Sequence, residues 1–180
     1  MSYADLSTFK SRLFNGATPP ESEELDARLQ SILDTAASWI DQKCNRTFVV
    51  PTEAETRTYS TLVGQVFCDD VADFVTSFTV SYNGEEISWI ADPVSHRRPL
   101  NVFEVDERYP TVDVTAGFGW PETPLEVVES NLILAHRIYK RAETPSGAGG
   151  FDNIGNTIRL PWRDPDVELM LAAYRKPVFG

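Results

Sequence analysis

Between Glu21 and Cys44 the apolar residues fall at Leu25, Leu29, Ile32, Leu33, Ala36, Ile40 and Cys44. Steps of three and four make one stripe on an α-helix, and a stripe of this length has to be buried against other elements. Trp39 widens the stripe. Arg28, Gln30, Asp34, Ser38 and Asp41 form the opposite face. Glu21, Glu23 and Glu24 occupy the first turn, where the helix dipole favours negative charge. Asn45 is suited to close the helix in a left-handed conformation. Three further segments share the helical period. Leu6, Phe9 and Leu13 predict a short helix over about 4–14, started at Asp5 or Ser7 and stopped by Asn15-Gly16 and Pro19-Pro20. Thr123-Pro124 opens a helix over 124–141 with a broad apolar face and with Lys140 and Arg141 at its end. Asp164-Pro165 opens a last helix over 165–175, with Val167, Met170, Leu171 and Tyr174 on one face.

From Arg46 to Gly117 the period changes to that of β-strands. Phe48–Val50, Thr56–Leu62, Val66–Cys68, Leu100–Val105 and Thr111–Ala116 are strand candidates. Phe78, Val80 and Tyr82 alternate with polar residues, and Asn83-Gly84 then leads to Ile87, Trp89 and Ile90, which is a strong hairpin pattern. The stretch Gly117–Pro121 breaks the strand period. The expected fold is α+β: a helical bundle, with helices near 4–14, 22–44, 124–141 and 165–175, interrupted by an antiparallel β insertion over about 46–117. All 180 residues are expected to form one domain, with a flexible Gly/Ser/Asn-rich loop at 144–157 and an extended tail at 176–180.

Few kinds of chemistry fit these residues. The net charge is −11, which disfavours sequence-specific binding to free DNA and favours solubility. No apolar run approaches the roughly 20 residues that span a bilayer, and residues 1–6 lack a secretory pattern, so the expected setting is the cytosol without membrane contact. The histidines, His96 and His136, are far apart and neither adjoins a nucleophile motif. Cys44 and Cys68 read as two small buried hydrophobes, with a disulfide as the alternative, and they cannot supply a paired zinc pattern. Asp69, Asp70 and Asp73 lack the glycine and glutamate of a calcium loop and read as a solvated acidic turn. Ser146–Gly150 has no lysine and follows a helix, unlike a phosphate-binding loop. No catalytic residue, metal or cofactor is expected. The basic residues Arg97, Arg98, Arg137, Lys140, Arg141, Arg159, Arg163, Arg175 and Lys176 concentrate toward the C-terminal third, an asymmetry suited to head-to-tail contacts between copies.

The order of these features resembles the head-to-tail connector (adaptor) proteins of long-tailed bacteriophages. Three stretches carry the likeness: Leu33 to Phe48, a helix with its trailing strand; Val112 to Pro121, running into the helix through Ala135; and Phe151 to Tyr174, a Gly/Asn-rich loop, then Ile158-Arg159-Leu160 and an Asp-Pro-started helix. The resemblance implies a structural virion protein at the capsid–tail junction, assembled in the bacterial cytoplasm. It implies a ring of identical copies, usually twelve, below the portal protein and above the next head–tail or tail-end protein. Double-stranded DNA would pass through with only transient, non-specific contact. In such a ring part of the acidity is expected to face the channel, and 144–157 and the tail are expected to order on assembly. The candidate subunit or portal interface residues are Phe151, Ile154, Arg159, Trp162, Arg163, Arg175, Lys176, Val178 and Phe179. The alternatives are another ring-forming tail component, such as a stopper or tail terminator, and a small hydrolase with unrecognised carboxylates.

Overall fold

The computed structural model describes residues 2–18, 21–73, 78–91, 98–143, 148–151, 157–159 and 164–176. The chain divides into two compact units, a helical unit of 1–46 with 124–180 and a β unit of 47–123. The expected insertion is therefore present, and it forms a compact body of its own within what was read as one domain.

Among the described residues, four helices build the helical unit: α1 (Leu6–Leu13), α2 (Glu23–Cys44), α3 (Leu125–Glu143) and α4 (Pro165–Ala172). Their ends follow local chemistry. Ser22 accepts the Leu25 N–H at 3.3 Å at the start of α2, and Asn45 adopts φ 52° at its end. Pro124 O accepts the Val127 and Val128 N–H groups, which opens α3. Asp164 caps α4 through the Asp166 and Val167 N–H groups. The stripe of α2 buries Leu29, Leu33 and Ala36 against Phe9 of α1 and Leu132, Ala135 and Tyr139 of α3. Each of the leucine and phenylalanine side chains contributes on the order of 2 kcal/mol by leaving water. Trp39 departs from the expectation. It is 46% exposed, because it lies beside the buried stripe rather than in it.

One buried polar residue ties three elements together. Asn131 of α3 accepts the Ala4 N–H at 3.1 Å and donates to Leu33 O at 3.0 Å. Its side chain satisfies the backbone where the N-terminal segment crosses α2 and α3.

The β unit is a six-stranded antiparallel sheet. Its strands are β1 (Glu55–Leu62), β2 (Gln65–Asp73), β3 (Thr79–Tyr82), β4 (Glu85–Glu86), β5 (Leu100–Glu104) and β6 (Thr111–Phe118), in the order β4-β3-β6-β1-β2-β5. The register of β2 shifts between Phe67 and Val71, and its far end pairs with β6 at Val71–Phe118, so the sheet curls around its core. That core holds Val66, Val71, Val80, Phe103, Val112 and Val114. Asn83-Gly84 makes the expected hairpin turn, with both residues at positive φ. The returning strand β4 is short; in the apolar run after it Ile87 donates its N–H to Val80 O at 2.9 Å, Trp89 packs on Phe78 and Phe103, and Ile90 forms an isolated bridge with Glu104.

Four expectations are corrected. Phe48–Val50 is not a strand. Val49 O instead accepts the Trp120 N–H at 2.9 Å, Phe48 O accepts the Thr123 hydroxyl at 3.0 Å, and the Phe48 ring packs on Trp120. β6 continues through Gly117 and Phe118, and the break falls at Gly119, whose φ is +147°. Asp69 and Asp70 belong to β2 rather than to a solvated turn: Asp70 is buried and accepts the Trp120 indole N–H at 3.3 Å. The stretch 144–157, expected as a loop, contains β7 (Ala148–Phe151), which pairs antiparallel with β8 (Thr157–Arg159).

Candidate assembly interface

The turn between β1 and β2 is built from Leu62-Val63-Gly64-Gln65. Val63 has φ 51° and Gly64 φ 78°, the same left-handed pair that Asn83-Gly84 adopts. Asn and Gly accept this geometry readily, but a β-branched residue there costs about 1–2 kcal/mol. Gly64 is required twice over, since a Cβ would also come within 2.8 Å of Val105 O. The strained Val63 is 77% exposed. Its side chain is therefore held outward, with no burial to offset the strain.

The strands leading from this turn continue the apolar surface. Leu62 pairs with Gln65, Gln65 with Glu104, and Glu104 with Ile90, so these four side chains share one row on the outer face. Phe67 and Val102 are direct partners in the neighbouring row, on the same face as Gln65 and Glu104. Val66 and Phe103, one residue away, point into the core. Among the described residues, nine large apolar side chains are exposed, and five of them are Leu62, Val63, Phe67, Ile90 and Val102. Exposed apolar residues clustered in this way make a candidate surface for another molecule, whereas scattered ones would not. Within the patch Gln65 donates to Glu104 at 3.3 Å.

Charge surrounds the apolar rows. Arg57 bridges Glu55 and Asp69, each at 2.8 Å, and its guanidinium lies 4.1 Å from the centre of the Phe118 ring. Tyr59 donates its hydroxyl to Asp69, and burial pushes its ionisation up to about 12. The β unit carries thirteen Asp/Glu and four Lys/Arg, a net of −9, against −2 for the helical unit. Nearly all of the excess acidity thus belongs to the insertion.

The residues expected at an interface lie elsewhere. Phe151 is the last residue of β7 and Arg159 the last of β8. Arg175 pairs with Glu168, which also takes the Lys43 ammonium at 2.6 Å, and the two cations hold the Glu168 carboxyl below its usual range. Lys176 donates its backbone N–H to Cys44 O at 2.8 Å. Ile154, Trp162, Arg163, Val178 and Phe179 fall outside the described residues. The β-unit face was missed by sequence reading, although Leu62-Val63-Gly64 in a hairpin position carried a signal, since two exposed apolar residues at a turn are unusual.

The titratable groups have structural surroundings. Burial, with Lys140 and Arg12 nearby, holds the His136 imidazole below its ordinary range, so it is neutral at pH 7. His96 falls outside the described residues. Cys44 and Cys68 are both buried thiols outside any disulfide, and burial pushes the Cys44 thiol up to about 11. Among the described residues no cluster of three or more His, Cys, Asp or Glu could hold a metal ion. Nor is any helix among them long and apolar enough to cross a membrane.

No family model matches the sequence, and no curated protein matches it. Solved structures do share the fold. A chain in the neck of an empty gene transfer agent (GTA) particle, computed with C6 symmetry, superposes with a TM-score of 0.56 at 18% identity, over 99% of this chain and 92% of that one. A chain in the virion of a native gene transfer agent particle gives a TM-score of 0.52, also at 18% identity, over 99% and 92%.

Proposed function

We propose that this chain is a non-enzymatic structural component of a phage-type head-to-tail connector, one copy of a ring that joins capsid to tail and lets DNA pass. The observation that carries this reading is the likeness of fold, over nearly the whole of both chains, to a chain in a particle neck. The exposed face of Leu62, Val63, Phe67, Ile90 and Val102 supports it, because each copy of a ring must cover such a surface with a neighbour. A ring of twelve contains sixfold symmetry, so the expected copy number is compatible with the symmetry used for that neck. The portal and the next head–tail protein would be the axial partners, reached through residues such as Arg175, Lys176 and the 177–180 tail.

The segregated charge suits the same role. A channel wall that repels phosphate lets the genome slide, whereas a basic wall would hold it. The β unit, at −9, is the part of the chain that would present such a surface.

The test is co-expression with a candidate portal protein from the same genome, followed by mass measurement and electron microscopy of the purified complex. A ring of this chain seated on the portal is expected. Phe67→Asp should weaken ring formation at least tenfold while leaving the monomer folded, because Phe67 is half exposed in the single chain. A portal that purifies without this chain under all conditions would overturn the proposal.

A further inference from the structure

The helical unit carries a recess of its own. A groove of about 310 Å³ runs between α2, α3 and α4, walled by Trp39, Leu134, Val167 and Leu171. Its walls are mostly apolar, and Trp39 remains half exposed along it. We infer that the β1–β2 turn of one copy seats Leu62 and Val63 in this groove of the next copy, so that every chain carries both halves of a head-to-tail contact. The inference rests on the ring reading and names the surface that the neighbour supplies.

Shape, strain and charge point to this occupant. Leu62 and Val63 are exposed at the tip of a hairpin, and a narrow turn enters a groove that a flat sheet face would span. Val63 holds its φ of 51° while its side chain stays in water, so burial can offset the strain only against another molecule. One leucine and one valine side chain suit an apolar slot of this size. The charges are opposed as well. Glu107 lies against the turn, since a Cβ on Gly64 would come within 3.3 Å of its side chain. Glu104 and Asp106 are exposed close to it in sequence, and Arg108 compensates Asp106 alone. At the groove, Lys43 and Arg175 share the single Glu168 carboxylate, while Arg137 pairs with Asp164, which leaves a positive surplus. An acidic turn thus meets a basic rim. A face-to-face contact would instead set two acidic turns against each other and would close as a pair. A contact between two different surfaces repeats, and can close as a ring.

The test places one cysteine on each side, Val63→Cys in the turn and Trp39→Cys in the groove, both at exposed positions. The doubly substituted full chain, oxidised at increasing concentration and together with the portal candidate, should form disulfide-linked ladders of two, three and more copies. Either single variant, like the unsubstituted chain, should stay unlinked. With 5-fluorotryptophan incorporated, the Trp39 fluorine resonance should move toward a buried position as copies associate, and Val63→Asp should weaken that association at least tenfold. Single-variant chains that link to one another would overturn the inference, since only a face-to-face pair brings like positions together. A disulfide closed within single chains, or no linkage at all, would overturn it too. A ring on the portal without linkage refutes this contact and leaves the connector reading standing, whereas ladders without a ring on the portal do the reverse.

Discussion

Replacing Asn131 tests how the helical unit is held together. Its amide accepts the Ala4 N–H and donates to Leu33 O, and the residue has no solvent exposure. Asn131→Ala removes two hydrogen bonds of about 1 kcal/mol each, and strands a buried Ala4 N–H at a further cost of about 1–3 kcal/mol. Leu33 O suffers less, because a carbonyl within a helix retains its helical donor. The expected loss is about 3–5 kcal/mol, a large part of a typical domain's stability. Asn131→Asp separates the two bonds. A carboxylate still accepts from Ala4, but cannot donate to Leu33 O and sets a negative charge against it. The folded state then favours the protonated acid, which raises its pKa above the unfolded value. Asn131→Asp should therefore be least destabilised below the unfolded carboxyl pKa, and should lose stability as the pH rises toward the folded one. The assay is urea unfolding followed by circular dichroism at pH 4 and pH 7, with hydrogen exchange of the Ala4 amide as a local probe. A loss below about 1 kcal/mol for Asn131→Ala, with Ala4 exchange unchanged, would refute the reasoning.

Other outcomes follow from single positions. Gly119→Ala should destabilise the β unit by at least about 2 kcal/mol, seen as an earlier loss of Trp120 fluorescence on heating, because a Cβ would run into Val49 O at a φ of +147°. Val63→Asn should raise the stability of the β unit by about 1 kcal/mol in thermal unfolding, since Asn tolerates the left-handed turn. The same change should weaken ring formation on the portal, and a gain in both would argue against the exposed face as an interface. The native chain should resist a thiol reagent at pH 8 at both cysteines and react at both in urea, since each thiol is buried and that of Cys44 is pushed up to about 11.

The period of the apolar residues determined most of the architecture. A stripe at steps of three and four can be buried only by a helix, and alternation only by a strand, so α2, α3 and the β insertion were legible to within a few residues. Capping chemistry is equally local, which is why Ser22, Asn45 and Asp164 stand at helix ends. Where a residue's partner is remote in sequence, local reading failed. Phe48–Val50 has the composition of a strand, yet its backbone bonds to Trp120 and Thr123, about seventy residues on. Asp70 looked solvated until β2 and the segment after β6 brought it against the Trp120 indole. Which members of Val66-Phe67-Cys68 face outward depends on cross-strand register, and register joins Leu62, Gln65, Glu104 and Ile90 into one row from four separate places in the chain. The sequence by itself thus determined the helices, most strands of the insertion and that the chain is acidic. Only the tertiary structure decided which apolar residues of the acidic insertion face outward together, because that depends on which distant backbones pair.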